Sequence, residues 1–382
     1  MDVVYARQPV PTAFSRAIFL AGPTPRDPSV ASWRPEALRL LAEQGYDGAV
    51  FVPEDADGSV QIDYVDQVEW EAQALATADA VVFWIPRELD VLPGFTTNVE
   101  WGIWQRSGKC VLGAPADAPK LRYLRHNADE LGIPQADTLA GTLARALALV
   151  GDGAARSGGE CQVPLLIWRR PAFQRWYQAQ RAAGHRLDGA DLRWAFRAER
   201  AGALFCWALK VNVFIPEEGR HKRGEVIISR ADISSVLAYH RGRTPMETRV
   251  VLVREFRSNA ATVDGMVHEL PGGSAPDAHS GRSVAADELR EETGMSIAAG
   301  RLVPHGERQC MATMLTHAAT LYSVALTDAE LEQFEARRGE RFGENDSERT
   351  YVEVRTFAEI LAARDVDWTH IGMIASVLTT MD

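Results

Sequence analysis

The first 150 residues alternate short apolar runs with stretches of helical pattern, and this alternation constrains the fold more than any other feature. The apolar runs end at glycine or proline, which predicts buried strands; they are 17–23, 48–53, 80–86 and 110–113. The helical patterns are 33–44, 64–78, 97–106 and 137–149. Strands that alternate with helices form a parallel sheet covered on both faces, and ligands bind beyond the carboxyl ends of its strands. We therefore expect an α/β chain that begins with a doubly wound parallel sheet.

Length and composition limit the class of protein. The chain has 382 residues, of which 46% are hydrophobic, so two or three globular domains are expected. The formal net charge of −11 argues against binding of polymeric nucleic acid without regard to sequence. Its four cysteines follow no metal or disulfide spacing, and neither a signal pattern nor an apolar run of membrane length is present. We expect a cytoplasmic protein without a membrane partner.

Glycine content and β patterning predict the remaining domain boundaries. The glycine-rich stretch 151–160 (GDGAARSGGE) predicts a linker after a first domain at 1–150. Residues 161–202 are expected to be a connecting segment, helical from 171 to 200. Residues 203–382 are assigned to a second domain, because β patterns dominate there. Its predicted strands are 205–214, 225–229, 234–239, 248–256, 318–326 and 351–354, and its last helix is 371–378.

Three closely spaced carboxylates follow a glycine turn in the second domain, within PGGSAPDAHSGRSVAADELREETGMSI at 271–297. A helix capped by Ser283 places Glu288, Glu291 and Glu292 on one face. Like charges so close repel each other, and a hard divalent cation with oxygen ligands removes the repulsion. These glutamates are therefore candidate metal ligands. An acidic helix that faces solvent is the alternative.

The spacing from Gly273 to Met295 resembles the Nudix hydrolase box, G-x5-E-x7-R-E-U-x-E-E-x-G-U with U aliphatic. The resemblance implies a C-terminal α/β/α Nudix fold with a mixed sheet. It also implies Mg²⁺ or Mn²⁺ held by Glu288, Glu291 and Glu292 against a diphosphate, with attack of an activated water on phosphorus. Glu288 is a ligand or the base.

Two positions depart from this box. His279 stands where the family has a glutamate, and Asp287 where it has an arginine. Since the order of charges is reversed, we hypothesise that His279 and Asp287 pair as a charge-swapped substitute. A Nudix fold without catalysis is the alternative.

The segment VREFR at 253–257, followed by ELPGG, resembles the Nudix branch that acts on ADP-ribose and nucleoside-diphosphate sugars. Substrate binding is therefore expected near Gly272 and Gly273, with Arg254 and Arg257 as a bidentate diphosphate clamp. The family resemblance also implies a catalytic base in a polar loop. Its candidates are Glu344 and Glu348.

Four segments of the first domain, FLAGP, QVEWE, FWIP and NVEWG, together resemble the nucleoside 2-deoxyribosyltransferase-like family. The resemblance implies cleavage or exchange of the N-glycosidic bond of a nucleoside or nucleotide. It makes Glu100 the nucleophile that attacks the anomeric carbon, where a carboxylate stabilises an oxocarbenium-like transition state. An ordinary glutamate in the first turn of a helix is the alternative. The candidate substrate-binding residues are Gly22, Pro23, Trp84 and Asn98.

Two positions also depart from the pattern of the nucleoside 2-deoxyribosyltransferase-like family. Pro86 occupies a position where family members often carry an aspartate, and Gly94 a position where they often carry an aspartate or a serine. Both departures argue against a standard transferase. An acid must then come from elsewhere, and the sequence does not choose among its candidates. They are Glu54, Glu69, Glu71 and Asp90. Tryptophans 70, 84, 101 and 104 stack on a base or pack in the core.

Together these features predict a bifunctional hydrolase of nucleotide metabolism. The second domain would cleave a nucleoside diphosphate derivative to a monophosphate, and the first would release the base. A nucleotide-sensing protein with one or both halves inactive is the alternative. The first family also implies a homodimer, because such domains often complete their sites across a subunit interface.

Overall fold

The computed structural model describes residues 1–25, 27, 29–56, 65–197, 204–274, 281–343 and 349–380. The chain forms two compact units, Met1–Ser229 and Arg230–Asp382. Both are α/β, with a parallel sheet in the first and a mixed sheet in the second. Along the part of the chain described, no helix is long and apolar enough to cross a membrane. The expected Nudix fold of the second unit stays a prediction.

The first unit contains eleven strands and seven α-helices within the described residues. Its strands are β1 (Asp2–Tyr5), β2 (Ala13–Phe14), β3 (Ala17–Ala21), β4 (Ala49–Val52), β5 (Ala80–Trp84), β6 (Cys110–Gly113), β7 (Gln135–Ala136), β8 (Arg156–Ser157), β9 (Arg186–Arg197), β10 (Leu204–Ile215) and β11 (Arg220–Arg230). Its helices are α1 (Arg34–Glu43), α2 (Val65–Thr77), α3 (Phe95–Trp104), α4 (Arg122–Glu130), α5 (Leu139–Val150), α6 (Leu165–Trp168) and α7 (Pro171–Ala182).

The parallel sheet has the strand order β1-β4-β3-β5-β6-β7. Every residue of β3, β4, β5 and β6 is buried, as expected for strands covered on both faces. One apolar core includes Trp70 and Trp101, and the other includes Trp33 and Leu143. The chain passes from β3 to β4 on one side and later to β5 on the other. The loops after β3 and β5 therefore diverge, which opens a crevice at the carboxyl ends of these strands.

The prediction of helix from 171 to 200 is wrong beyond Ala182. Gly184 adopts the left-handed conformation (φ +78°) after α7, and the chain then enters β9. The strand pairs antiparallel with β10 in a three-stranded sheet of order β11-β10-β9. Phe173 and Tyr177 of α7 pack with Trp207 of β10 in the core beneath this sheet. These contacts place β10 and β11 in the first unit, whereas the sequence analysis assigned residues after 203 to the second domain.

The glycine-rich stretch predicted as a linker is packed into the first unit. β8 pairs with β2, and the fully buried Arg156 forms a salt bridge with Asp79, with 2.6 Å between Nη2 and Oδ2. Asp79 also accepts hydrogen bonds from the backbone N–H groups of Ala17 and Leu165. The stretch was predicted to be a linker because its residues are small and polar. The buried partner of its arginine lies 77 residues away in the sequence, so the local pattern does not show the contact.

The second unit contains eight strands and four α-helices among the described residues. Its strands are β12 (Ile233–His240), β13 (Arg249–Phe256), β14 (Met266–Glu269), β15 (Gly272–Gly273), β16 (Val303–Gln309), β17 (Ala318–Ala325), β18 (Arg341–Phe342) and β19 (Thr350–Thr356). Its helices are α8 (Arg282–Thr293), α9 (Asp328–Ala336), α10 (Phe357–Ala362) and α11 (Trp368–Leu378). The sheet is mixed because β12 and β17 are parallel whereas the other described pairs are antiparallel. Helices α8 and α9 share one core, and α10 and α11 share the other.

Candidate functional site

A cavity of about 420 Å³ lies at the carboxyl ends of β3, β4 and β5. The predicted nucleophile and two predicted substrate-binding residues of the first domain line it, namely Glu100, Gly22 and Pro23. The other lining residues are Thr24, Pro25, Arg34, Pro53, Gln67, Glu71, Pro93, Gly94, Phe95, Thr96 and Thr97. The edge of the sheet therefore carries two carboxylates and one guanidinium group around a single cavity.

Helix α3 supplies Glu100 from its second turn. Gly94 precedes the helix in the left-handed conformation (φ +65°), so the first helical residue is Phe95 and Glu100 is the sixth. The sequence analysis began this helix at Thr97, and its alternative of a first-turn glutamate is wrong for that reason. Because the helix dipole acts mainly within the first turn, it does not explain why a carboxylate stands here.

The carboxyl groups of Glu71 and Glu100 both have raised pKa values, and Glu71 contributes to the shift of Glu100. Burial and the nearby charge of Glu71 together raise the pKa of Glu100 to about 7, against the opposite effect of Arg34. Burial also raises the pKa of Glu71, against a hydrogen bond of 2.9 Å from Gln67 Nε2. Two carboxyl groups with raised pKa values in one cavity suit a site that must supply both an anion and an acid.

Arg34 of α1 forms the floor of the cavity and is 1% exposed. Its Nε donates to the carbonyl of Leu20 at 3.1 Å, its Nη2 to that of Gly22 at 2.8 Å, and its Nη1 pairs with Glu54. The guanidinium thereby fixes the turn after β3. Sequence reasoning missed Arg34, since an arginine near the start of a helix gives no sign that its side chain runs inward.

The other candidates of the first domain lie outside this lining. Trp84 is buried in the core, and its carbonyl oxygen would stand 2.2 Å from a Cβ atom added to Gly22. Asn98 is exposed and accepts a hydrogen bond from Arg87 Nη2 at 2.6 Å. Of the four acid candidates, Glu71 alone lines the cavity. Glu54 is the partner of Arg34, and Glu69 and Asp90 are exposed.

In the second unit, the three clustered glutamates lie on α8 as predicted. The helix begins at Arg282 after Gly281, so the prediction that Ser283 caps it is wrong. Ser283 is the second helical residue and is exposed. Gly294 ends the helix with φ +69°, as the box glycine requires.

Glu292 is half-buried and lies near three other carboxylates. Burial raises its pKa well above the ordinary value, and the backbone N–H of Gly272, which donates to Oε2 at 2.9 Å, opposes this shift. Glu288, Glu255 and Glu269 raise the pKa further. The carboxylates around Glu292 thus concentrate negative charge at this place in the second unit.

A metal site is not preformed around these glutamates. Glu291 accepts a hydrogen bond of 2.9 Å from its neighbour Arg290. Over the described ranges, no group of three or more His, Cys, Asp or Glu side chains is arranged to hold a metal ion.

The glycines before α8 allow close approach of the chain to other elements. Gly272 pairs with Ser235 of β12, and a Cβ atom there would stand 2.3 Å from the carbonyl oxygen of Ser234. A Cβ atom on Gly273 would stand 2.4 Å from the carboxyl carbon of Glu288. Any larger residue at 273 would therefore displace the carboxylate.

Both arginines predicted to clamp a diphosphate already have carboxylate partners. Arg254 Nη2 donates to Asp264 at 2.8 Å. Arg257 Nη2 pairs with Glu269 at 2.6 Å and with Glu255 at 2.9 Å. A diphosphate would have to compete with these pairs.

Of the four remaining candidates, one lies within the described residues and three lie outside them. Asp287 lies on α8 and is exposed. His279, Glu344 and Glu348 lie outside the described residues, so the charge-swap hypothesis and the position of the base stay predictions.

Comparison with known protein families identifies one part of the chain. The model of the family "Nucleoside 2-deoxyribosyltransferase like" matches residues 15–118, a range that holds both carboxylates of the cavity. No Nudix model matches the C-terminal part. A search of curated proteins found no match to the chain. The family match indicates a nucleoside-processing enzyme. The match thus supports a nucleoside 2-deoxyribosyltransferase-like domain at residues 15–118.

Proposed function

We propose that the first unit cleaves or transfers the N-glycosidic bond of a nucleoside or nucleotide. The observation that carries this proposal is the coupled pair Glu71 and Glu100 in one cavity at the carboxyl edge of the sheet. Glycosidic cleavage needs one carboxylate to meet the oxocarbenium-like carbon and an acid to protonate the leaving group. The family match supports the same chemistry.

In this mechanism, a carboxylate oxygen of Glu100 attacks the anomeric carbon while the bond to the base nitrogen breaks. The carboxyl group of Glu71 donates its proton to the departing base. A water molecule, or a second base, then attacks the anomeric carbon of the glycosyl ester and frees Glu100. Glu71, now a carboxylate, accepts the proton of that nucleophile.

The charges in the cavity set the pH range in which Glu71 and Glu100 have the protonation states that the mechanism needs. A nucleophilic Glu100 must be ionised, and its pKa is about 7. Its ionised fraction therefore rises as the pH increases through neutrality. Arg34 favours the anion, whereas an ionised Glu71 opposes it. The mechanism needs the form in which Glu100 is ionised and Glu71 carries the proton.

The test is release of free base from a panel of nucleosides and nucleoside 5′-monophosphates, measured by mass spectrometry. Glu100→Gln should lower the rate roughly a thousandfold, because the amide is not a nucleophile. Glu69→Gln, an exposed neighbour on α2, is the matched control and should retain the rate. Equal rates in both variants would exclude the proposed role of Glu100.

A second proposal concerns the second unit, which we infer hydrolyses a nucleoside diphosphate derivative with Mg²⁺ or Mn²⁺. The buried negative charge around Glu292 favours it, because a divalent cation would neutralise that charge. Glu288, Glu291 and Glu292 would hold the metal, and Glu291 would first leave Arg290. The metal would supply an activated water and charge neutralisation at phosphorus.

This second proposal is tested with ADP-ribose, NAD and sugar nucleotides in the presence of either metal. Monophosphate that forms with the native chain but not with Glu292→Gln would support hydrolysis. Ligand-induced stabilisation without any product would favour the alternative, a nucleotide sensor. If neither turnover nor binding is detected, both the hydrolase and the sensor are excluded.

The homodimer implied by the family resemblance is likewise a proposal. Phe95, Val99 and Ile103 form an apolar stripe on α3 and are 70%, 62% and 67% exposed. Phe95 also lines the cavity, so a second copy packed on this stripe would narrow the entrance. Sedimentation of the native chain and of Ile103→Glu tests this, since a dimer held by the stripe should dissociate in the variant.

A further inference from the structure

An open groove, distinct from the cavity that holds Glu100, lies where the parallel sheet carries β6. It has a volume of about 510 Å³ and is formed by the loop after β6 and by helix α4. Since β6 is the neighbour of β5, the groove and the cavity lie along the same carboxyl edge of the sheet. The residues that line the groove are Ala116, Ala118, Lys120, Leu121, Arg122, Arg125, His126 and Asp129.

Positive charge predominates in the lining of this groove. Lys120, Arg122 and Arg125 are cations, and His126 adds a further one when it is protonated. Asp129 is the single carboxylate among the described lining residues, and Gln135 Nε2 donates to it at 2.7 Å. The chain as a whole has a formal net charge of −11, so its average charge does not account for this cluster. An anion is the ligand whose charge complements the groove.

The cations of α4 share one face of the helix. Arg122, Arg125 and His126 stand at i, i+3 and i+4, where like charges repel each other. Arg125 has a partner, since its Nη2 donates to Asp137 at 2.8 Å. The side chains of Lys120, Arg122 and His126 are exposed, and within the described part of the chain they form no ion pair. A bound anion would remove the repulsion that remains.

The backbone at Lys120 ties the groove to the catalytic helix. Lys120 adopts a left-handed conformation (φ +60°), which is uncommon for a residue other than glycine. Its carbonyl oxygen accepts a hydrogen bond of 3.0 Å from Nη1 of the buried Arg87. Nη2 of the same guanidinium donates to Asn98 of α3 at 2.6 Å. One buried side chain therefore joins the wall of the groove to the helix that carries Glu100.

We propose that this groove binds a chain of two or more phosphate groups. Arginine and lysine side chains bind phosphate oxygens through charge-assisted hydrogen bonds, and arginine does so in a bidentate manner. Arg122 and His126 are about 6 Å apart along the axis of α4, and Lys120 lies on the preceding loop. An extended anion matches this spacing better than a single phosphate group. The site is separate from Glu71 and Glu100, so binding there requires no glycosidic activity.

The first test is isothermal titration calorimetry of the full chain with inorganic pyrophosphate and a metal chelator. The native chain should bind pyrophosphate. Arg122→Gln should weaken the binding about fivefold, because it removes one exposed charge contact. Arg145→Gln is the matched control and should bind as the native chain does, since it removes an exposed arginine from another helix, α5. A native chain that does not bind pyrophosphate overturns the proposal, and so does an equal loss of affinity in the two variants.

Competition against bound ADP identifies where the phosphate chain comes from. ADP that is displaced by adenosine as well as by pyrophosphate spans the cavity and the groove, so the phosphates belong to the nucleotide in the cavity. ADP that is displaced by pyrophosphate alone occupies the groove as a separate ligand. ADP that pyrophosphate does not displace overturns the site. Because no outcome depends on release of a base, the assay with Glu100→Gln tests the proposed glycosidic activity separately.

Discussion

Each unit of this protein holds a half-buried glutamate near other carboxylates, but the two surroundings differ. Glu100 lines a cavity whose floor is Arg34, a guanidinium held by backbone carbonyls. Glu292 instead accepts a backbone N–H from Gly272, and the nearby Arg257 is already paired with Glu269. A fixed cation close to the first pair can keep one carboxylate ionised. The second cluster has a surplus of negative charge that a bound cation could remove. This difference is why we propose an organic substrate for the first site and a metal for the second.

Arg34→Met should lower the free energy of unfolding more than any other change predicted below, because it removes the buried cation that distinguishes the first site. It leaves Glu54 and two backbone carbonyls without their partner in a buried place, so we expect a loss of about 3 kcal/mol in the free energy of unfolding. Urea denaturation measures it. Arg39→Met, on the exposed side of the same helix, is the control. If both variants lose equally little, Arg34 does not organise the cavity.

Glu100→Gln should stabilise the first unit at high pH. The folded pKa of Glu100, about 7, is above the value expected when unfolded, so ionisation opposes folding. This penalty is absent below the unfolded pKa and grows as pH rises through 7, to about 2 kcal/mol once solvent access is allowed for. Unfolding at pH 4 and pH 8 measures it. The free energy of unfolding of the variant should equal that of the native chain at pH 4 and exceed it at pH 8. A constant difference would mean that packing, not charge, separates the two.

A third prediction, of smaller size, concerns Glu292 and the metal. Adding Mn²⁺ should raise the stability of the second unit by about 1 kcal/mol, since a ligand that binds only the folded state shifts the unfolding equilibrium. Glu292→Gln should abolish this gain. Thermal unfolding with Mn²⁺, with Ca²⁺ and with chelator measures it. An equal gain in native chain and variant would place the metal elsewhere and remove the contrast between the two sites.

The sequence predicted the fold better than the sites. Apolar runs such as 80–86 are unambiguous because a strand covered on both faces must be apolar throughout, and β5 lies there. Helix α8 and its clustered glutamates followed from spacing alone. Strand β9 was missed because its mixture of charged and aromatic residues also suits a helix, and its pairing with β10 decides the matter.

Residues that act through tertiary contacts could not be predicted from the sequence. Arg34 and Arg87 look like ordinary surface arginines until their burial is known. Glu71 was one of four acid candidates, and the position of the cavity distinguishes it from the other three. Each depends on which side chains the folded sheet brings together at its edge, and one-dimensional spacing does not hold that information.

The salt bridge between Asp79 and Arg156 bears on where this chain can be cut. The family match stops at residue 118, and the helical pattern stops near 150, so either point looks like a natural end for an expression fragment. A fragment ending there would leave the carboxylate of Asp79 buried and without its cation, at a cost of several kcal/mol. A fragment of the first unit should therefore fold only when it extends past Leu165, whose N–H also donates to Asp79.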